Sequence, residues 1–276
     1  MKFVKHILIC LLTVVLFYIS WPPQSMSGLI FTAFLPVLYL IFNYKSEEFK
    51  YSNVYLFSLL FITFFSINFS LTSWLIYAHW FGGIFASIFN AALMSFVVFI
   101  IYKIRCNLGD KQAYFAFPIL WLAFEYLHLN WDMTWPWMSL GNVFAEQTNW
   151  IQWYEFTGVL GGSLWIITVN TLLYFSLSQL TKKKSFSTPL VFSLFFIISP
   201  IIVSNKPLLD TNYLAGEEVK VVIVQPNYEP HDEKFNIPQD KQLQEVEALL
   251  KPVWNTKPDL IVLPETFITD WIWESR

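Results

Sequence analysis

Charged residues are scarce in this chain. They make up 13% of its 276 residues, whereas 55% of the residues are hydrophobic, and soluble domains usually carry about 25% charged residues. A soluble surface this poor in charge would expose large apolar patches, but lipid accepts Phe, Leu and Ile on every side of a helix. The composition therefore excludes an ordinary soluble globule and predicts an integral membrane protein.

Cysteine and clustered basic residues are also lacking. The two cysteines, Cys10 and Cys106, have the spacing of neither a metal-ligand set nor a disulfide framework. We therefore expect two free thiols and no metal site. The 17 Lys and Arg residues are scattered and the net charge is −3, which argues against nucleic-acid binding.

Seven apolar runs predict seven transmembrane helices. They occupy residues 7–20, 28–42, 54–78, 80–103, 112–129, 158–179 and 189–204. A cleaved signal peptide is the alternative interpretation of the first run, but no clean small-residue cleavage site follows it.

The distribution of Lys and Arg gives an independent orientation, because these residues favour cytoplasmic loops. Basic residues mark every second boundary, at Lys2, Lys5, Lys45, Lys50, Lys103, Arg105, Lys111, Lys182, Lys183 and Lys184. The intervening loops, at 21–27, 78–81 and 130–157, contain none. The pattern predicts a cytoplasmic N-terminus and places everything after about residue 205 outside. The Lys182 to Lys184 run is interpreted as a topology anchor, with an anionic-lipid site as the alternative.

The long outer loop at residues 130–157 is strongly aromatic. It contains five Trp and several acids but no Lys or Arg, which is too aromatic for a disordered segment. Two interpretations stay open: an aromatic belt at the membrane interface, or the wall of a lateral entrance through which lipid reaches a site on the outer face.

Small and polar residues interrupt the apolar spans. Gly158 and Gly162 form a GxxxG pair, which predicts close packing against another helix. Asn170 would be unfavourable in hydrocarbon without a partner, so we expect it to bond to a neighbouring helix. Glu125 and His128 are interpreted as polar residues at the membrane interface.

The last sixty residues read as the start of an α/β domain. KVVIVQPN predicts a buried strand, residues 238–251 an amphipathic helix and DLIVL a second strand. Glu265 follows that second strand, where α/β folds tend to place reacting groups. It is therefore a candidate general base, with a solvated turn residue as the alternative. We expect a membrane domain over 1–205, a linker over 206–216 and an α/β domain over 217–276.

Several motifs occur together in a fixed order. PWMSLG lies in the outer loop, TGVLGGS followed by Asn170 opens the sixth span, and VQPN, Lys234-Phe235 and DLIVLPET follow in the tail. In this combination the chain resembles the apolipoprotein N-acyltransferases of bacterial envelopes. The resemblance implies a nitrilase-like αββα sandwich after the membrane helices, at the outer face of the bacterial inner membrane, in a monomer that needs no cofactor.

The resemblance also implies the reaction and its residues. Such enzymes transfer an acyl chain from a phospholipid to the α-amino group of the N-terminal diacylglyceryl-cysteine of an apolipoprotein, through a thioester on a Cys assisted by Glu and Lys. Glu265 matches the general base. Phe235 lies where these enzymes place an aromatic near the acyl chain, and Trp135 and Trp137 are candidates for the lipid entrance.

The chain departs from this pattern after Glu265. Residues 266–276 contain neither Lys nor Cys, while Cys10 lies in the first span and Cys106 in a predicted cytoplasmic loop. We therefore expect the chain to be truncated before the catalytic Lys, the Cys and a last membrane helix, and to be inactive alone. Leu263 replaces a Trp of many relatives, a change we expect to be tolerated. A membrane-anchored amide hydrolase and a non-catalytic scaffold or transporter remain as alternatives.

Overall fold

The structure is a computed structural model that describes residues 2–45, 51–182, 185, 187–204, 216, 218–228, 236–265 and 267. The chain divides into two compact units, Met1–Leu208 and Leu209–Arg276. The predicted linker over 206–216 lies outside the described residues except for Gly216. The predicted domain boundaries stay predictions.

Each of the seven predicted apolar runs is helical. The helices of the first unit are α1 (Lys2–Ser20), α2 (Ile30–Ala33), α3 (Leu35–Asn43), α4 (Ser52–Thr72), α5 (Leu75–Ala78), α6 (Trp80–Leu108), α7 (Asp110–Leu129), α8 (Tyr154–Thr181) and α9 (Ser187–Ser204). A 3-10 helix, Ser27–Leu29, leads into α2.

Five of the described helices are long and apolar enough to cross a membrane: α1, α4, α6, α8 and α9. The stretch Ser27–Asn43 is shorter, and α7 carries Asp110, Lys111 and Glu125. The chain is therefore a membrane protein, and the predicted count of seven spans stays a prediction.

The second apolar run is broken because a side chain from α8 inserts into its backbone. Asn170 is fully buried, and its Oδ1 accepts the Phe34 N–H over 2.9 Å while its Nδ2 donates to Ile30 O over 2.9 Å. In a continuous helix the Phe34 N–H would donate to Ile30 O directly. The Asn170 amide thus replaces one bond of the helical ladder, which separates α2 from α3. The predicted bond to a neighbouring helix is confirmed.

Aromatic rings fill the centre of the first unit. Phe34 is fully buried and lies edge-on to Phe17, Phe117 and Trp121 at centroid distances of 5.0, 5.3 and 4.9 Å. Edge-to-face pairs at these distances are favourable beyond the area they bury. The cluster joins α1, α7 and the break between α2 and α3.

The second unit contains the predicted strand, helix and strand. β1 (Val221–Ile223) and β2 (Leu260–Val262) pair in parallel, with Val221 opposite Leu260, and α10 (Gln239–Leu250) connects them. The order of strand, helix and strand is confirmed. The prediction of a buried first strand is wrong for β1, because Val221 and Ile223 are exposed. The assignment of this unit to a nitrilase-like αββα sandwich stays a prediction.

Candidate functional site

Glu265 lies in an exposed turn directly after β2. The Phe267 N–H donates to Pro264 O over 3.3 Å, which spans the turn. Phe267 is buried with Val224 and stacks on Tyr228 at 5.9 Å. A buried ring two residues beyond Glu265 therefore fixes the turn in which this exposed residue lies. Its role as a general base stays a prediction, and Phe235 lies outside the described residues.

The outer loop consists largely of short 3-10 helices. Three of them, Pro136–Met138, Leu140–Phe144 and Thr148–Trp150, follow α7 and precede α8. Leu140, Val143 and Phe144 are almost fully buried. The loop therefore packs into the first unit, which the sequence did not predict.

Glu125 in α7 connects this loop to the helices. It is 3% exposed, and its Oε1 accepts both the Trp121 Nε1–H and the Leu140 N–H, each over 2.9 Å. The backbone of a 3-10 segment has amides without helical partners. Glu125 supplies the acceptor for one of them. Glu125 and His128 are both buried inside the protein, and their position at the membrane interface stays a prediction.

Two side chains of α8 form hydrogen bonds with the backbone of Gly141, the loop residue that follows Leu140. The Gly141 N–H donates to Ser163 Oγ over 3.0 Å, and Tyr154 OH donates to Gly141 O over 3.0 Å. Both polar atoms of Gly141 are thus satisfied inside the protein. Non-helical backbone at membrane depth requires this kind of internal pairing.

Glycine permits the close approach of the loop to α8. A Cβ on Gly141 would overlap the Val159 carbonyl, and one on Gly162 would overlap the Tyr154 ring and lie 3.0 Å from the Gly141 Cα. Gly158 has no neighbour within 4 Å of its Cβ position but a φ of 63°. The GxxxG prediction is therefore wrong for Gly158, which allows a kink, and Gly162 packs against a loop instead of a helix.

Further bonds tie the loop to other elements. Ser27 Oγ donates to Val143 O over 3.0 Å, Ser25 Oγ donates to a Glu146 carboxylate oxygen, and Ser204 Oγ of α9 donates to Trp150 O over 2.8 Å. The loop therefore contacts the segments next to α1 and α2, and the end of α9.

A small cavity of about 10 Å³ lies behind the loop, between α6 and α7. Glu125, His128 and Trp135 line it, and His128 Nε2 is 2.5 Å from Asn90 Oδ1. Within the described part of the chain, His128 Nδ1 and Trp135 Nε1 have no hydrogen-bond partner. A cavity of this size holds about one water molecule, so it is too small to receive a substrate group.

The structure brings Trp135 and Trp137 together at the surface of the loop. Their ring centroids are 5.0 Å apart, and Trp137 also contacts Trp74 at 6.0 Å. Trp137 is 48% exposed, whereas Trp135 is half-buried beside the cavity. Trp74 and Trp137 are both exposed, and together they form an aromatic surface at the loop. This surface keeps both interpretations of the loop open.

The cysteines lie apart from these features. Both are free, Cys10 buried in α1 and Cys106 exposed. Cys106 belongs to the last turn of α6, not to a loop as predicted. Among the described residues, no group of three His, Cys, Asp or Glu side chains could hold a metal ion.

The comparisons with known proteins concern mainly the first unit. A family model described as the apolipoprotein N-acyltransferase N-terminal domain matches residues 14–172, more than half of the chain. An apolipoprotein N-acyltransferase of Chlorobaculum tepidum is 27% identical over 205 residues, which cover 72% of this chain and 38% of that protein. A protein of the same name from Rickettsia prowazekii is 28% identical over 120 residues, or 43% of this chain and 23% of the relative. The aligned part of this chain thus spans well under half the length of either relative.

Proposed function

The chain belongs to the apolipoprotein N-acyltransferase N-terminal domain family, and from this premise we propose that it takes part in the N-acylation of bacterial lipoproteins. The acceptor is the α-amino group of an N-terminal diacylglyceryl-cysteine, and the donor is a phospholipid. The protein lies in the inner membrane with its N-terminus in the cytoplasm and its second unit in the periplasm.

The observation that carries this proposal is the outer loop held by Glu125, Ser163 and Tyr154. This loop lies within the part of the chain that the family model matches. Its internal hydrogen bonds support a fixed wall with an aromatic surface at the membrane interface, where lipid substrates would pass. Aromatic side chains of this kind favour the headgroup level of a bilayer.

Glu265 serves as the general base in this proposal. The acyl group is carried as a thioester, which forms when a thiolate attacks the phospholipid ester and the lysophospholipid leaves as an alcohol that takes up a proton. The lipoprotein amine then attacks the thioester, the amide forms as the C–S bond breaks, and the proton lost from the amine returns to the released thiolate. Cys10 and Cys106 belong to helices of the first unit, and we assign neither of them as the nucleophile. The exposed turn after β2 supports the role of Glu265, because a base must reach a substrate proton.

The test is complementation with the full-length protein that contains this chain. The strain is depleted of its own N-acyltransferase, and the N-terminal peptide of a lipoprotein is analysed by mass spectrometry. We expect the protein to restore the mass of one fatty acyl group. The Glu265→Gln variant should lose this activity, and Glu247→Gln, on the exposed face of α10, should retain it.

One result would contradict the proposed reaction, and another would contradict only the role of Glu265. Full-length protein that never adds an acyl group, but releases ammonia from small amides, would favour the amide hydrolase. Equal activity of Glu265→Gln and Glu247→Gln would remove Glu265 from the chemistry while leaving the acyltransferase assignment intact.

A further inference from the structure

A long groove lies between the first turns of α7 and the last turns of α8, away from the outer loop. Its volume is about 700 Å³, and it runs along α8 from Thr168 to Lys182. Fourteen residues of helix correspond to roughly 21 Å, at 1.5 Å per residue. The groove is therefore long enough for most of a fatty acyl chain.

Most of the groove wall is apolar and aromatic. Tyr114, Phe115 and Pro118 contribute from α7, and Leu172 and Phe175 from α8. Tyr114 and Phe175 meet edge-on at 5.4 Å. Phe115 is 66% exposed, so the groove opens sideways onto the surface of the first unit.

One end of the groove is positively charged. Lys111 and Lys182 lie there with Asp110. The Asp110 carboxylate is paired with Arg105 Nε at 3.2 Å and with Lys182 Nζ at 3.6 Å. These four side chains carry three positive charges and one negative charge, so the net charge at this end is positive. The ion pair with Asp110 also holds Lys182 at the groove.

We propose that this groove binds an anionic phospholipid, with an acyl chain along α8 and the phosphate beside Lys111 and Lys182. Basic pockets between membrane helices commonly recognise anionic headgroups. The apolar wall continues from the charged end toward the interior of the bundle, which matches the division of a phospholipid into head and chain. The net positive charge of Arg105, Lys111, Lys182 and Asp110 favours an anionic headgroup over a zwitterionic one, and an apolar helix in the groove would leave this excess positive charge uncompensated.

This site is separate from the proposed catalytic function. It lies at the Lys182 end of α8, whereas the outer loop packs on the opposite end of that helix at Gly162 and Ser163. A loss of lipid binding here therefore leaves the N-acyltransferase proposal unaffected, and a failure of that proposal leaves this one intact.

The test compares lipids that copurify with the full chain. The protein is reconstituted into vesicles that contain equal amounts of phosphatidylglycerol and phosphatidylcholine. It is then extracted in mild detergent, and the bound lipids are counted by native mass spectrometry. We expect phosphatidylglycerol to be enriched. Each lysine near an anionic headgroup raises the binding constant of the lipid by about a factor of five. The double variant Lys111→Gln with Lys182→Gln should therefore lower the enrichment of phosphatidylglycerol by up to about 25-fold.

Two controls separate the groove from general effects. Lys103→Gln removes a positive charge of α6 that lies beside Asn53, outside the groove, and should leave the enrichment unchanged. Thr168→Trp fills the apolar part of the groove and should displace the bound lipid, whereas Leu177→Trp, on an exposed position of α8, should not. Circular dichroism and gel filtration verify that each variant is folded.

The proposal is overturned by any of three results. One is equal retention of the two phospholipids by the parent chain. Another is an equal loss in the Lys103→Gln variant and in the double lysine variant. The third is unchanged lipid binding in a folded Thr168→Trp variant, since that would place the lipid elsewhere.

Discussion

Replacement of Glu125 by Leu should release the outer loop from the membrane helices. The side chain is 3% exposed, and one of its oxygens accepts both the Trp121 Nε1–H and the Leu140 N–H. Leucine has a similar volume but no acceptor. Two buried donors would therefore lose their partner at the same time.

The expected effect is large for a single substitution. A buried donor without an acceptor costs about 1–3 kcal/mol, so two of them cost roughly 4 kcal/mol together. Only the Leu140 N–H belongs to the loop and regains water when the loop opens, because Trp121 and residue 125 both lie in α7. Its share of about 2 kcal/mol corresponds to roughly a 30-fold increase in the opening equilibrium. Glu125→Gln keeps an acceptor oxygen at the same position, so its effect should be about 1 kcal/mol.

Hydrogen–deuterium exchange of the peptide over residues 136–144 measures this opening directly. We expect Glu125→Leu to accelerate exchange there by roughly 30-fold, Glu125→Gln to accelerate it slightly, and the exposed control Glu155→Gln to leave it unchanged. The reasoning is refuted if Leu and Gln at position 125 give equal protection. That result would mean that packing, and not the carboxylate, holds the loop.

Four further substitutions test the other contacts. Asn170→Leu removes the amide that bonds to Ile30 O and to the Phe34 N–H. It should lower the free energy of unfolding by about 2–4 kcal/mol, measured by thermal denaturation of the detergent-solubilised chain. An unchanged free energy of unfolding would show that the Phe34 N–H donates to Ile30 O directly in the variant. Gly162→Val should cost about 1–3 kcal/mol or more from overlap with Tyr154, whereas Gly158→Ala should cost about 1–2 kcal/mol through its positive φ. Trp137→Ala should raise KM for the phospholipid in the full-length enzyme with little change in kcat, and an unchanged KM would favour the belt interpretation.

The sequence predicted the helices well because hydrophobicity is a local property. Each of the seven apolar runs became helical, and the parallel strands around α10 followed from their own patterns. The break in the second run could not be predicted in the same way. It depends on Asn170, which lies more than 130 residues later in the chain and inserts its amide between Ile30 and Phe34.

The candidate site was predicted less completely than the helices. The sequence identified Trp135 and Trp137 through the aromatic composition of the outer loop, and Glu265 through its position after a strand. It missed Glu125, Ser163 and Tyr154, whose hydrogen bonds form only when α7, α8 and the loop are packed together. The signal that could have found Glu125 was a carboxylate inside an otherwise apolar helix, which is unfavourable without buried partners.

Asn170 and Glu125 act through the same physical principle. Each is a polar side chain within an apolar helix, and each binds backbone groups of a neighbouring segment that has left the regular helical pattern. In hydrocarbon an irregular backbone can exist only if the protein itself supplies donors and acceptors. A buried polar residue in a membrane helix therefore predicts a nearby segment with unpaired peptide groups. Applied to this chain, the principle would have indicated from Glu125 that the loop at 130–157 packs into the bundle, because no other segment next to α7 is both long and non-helical.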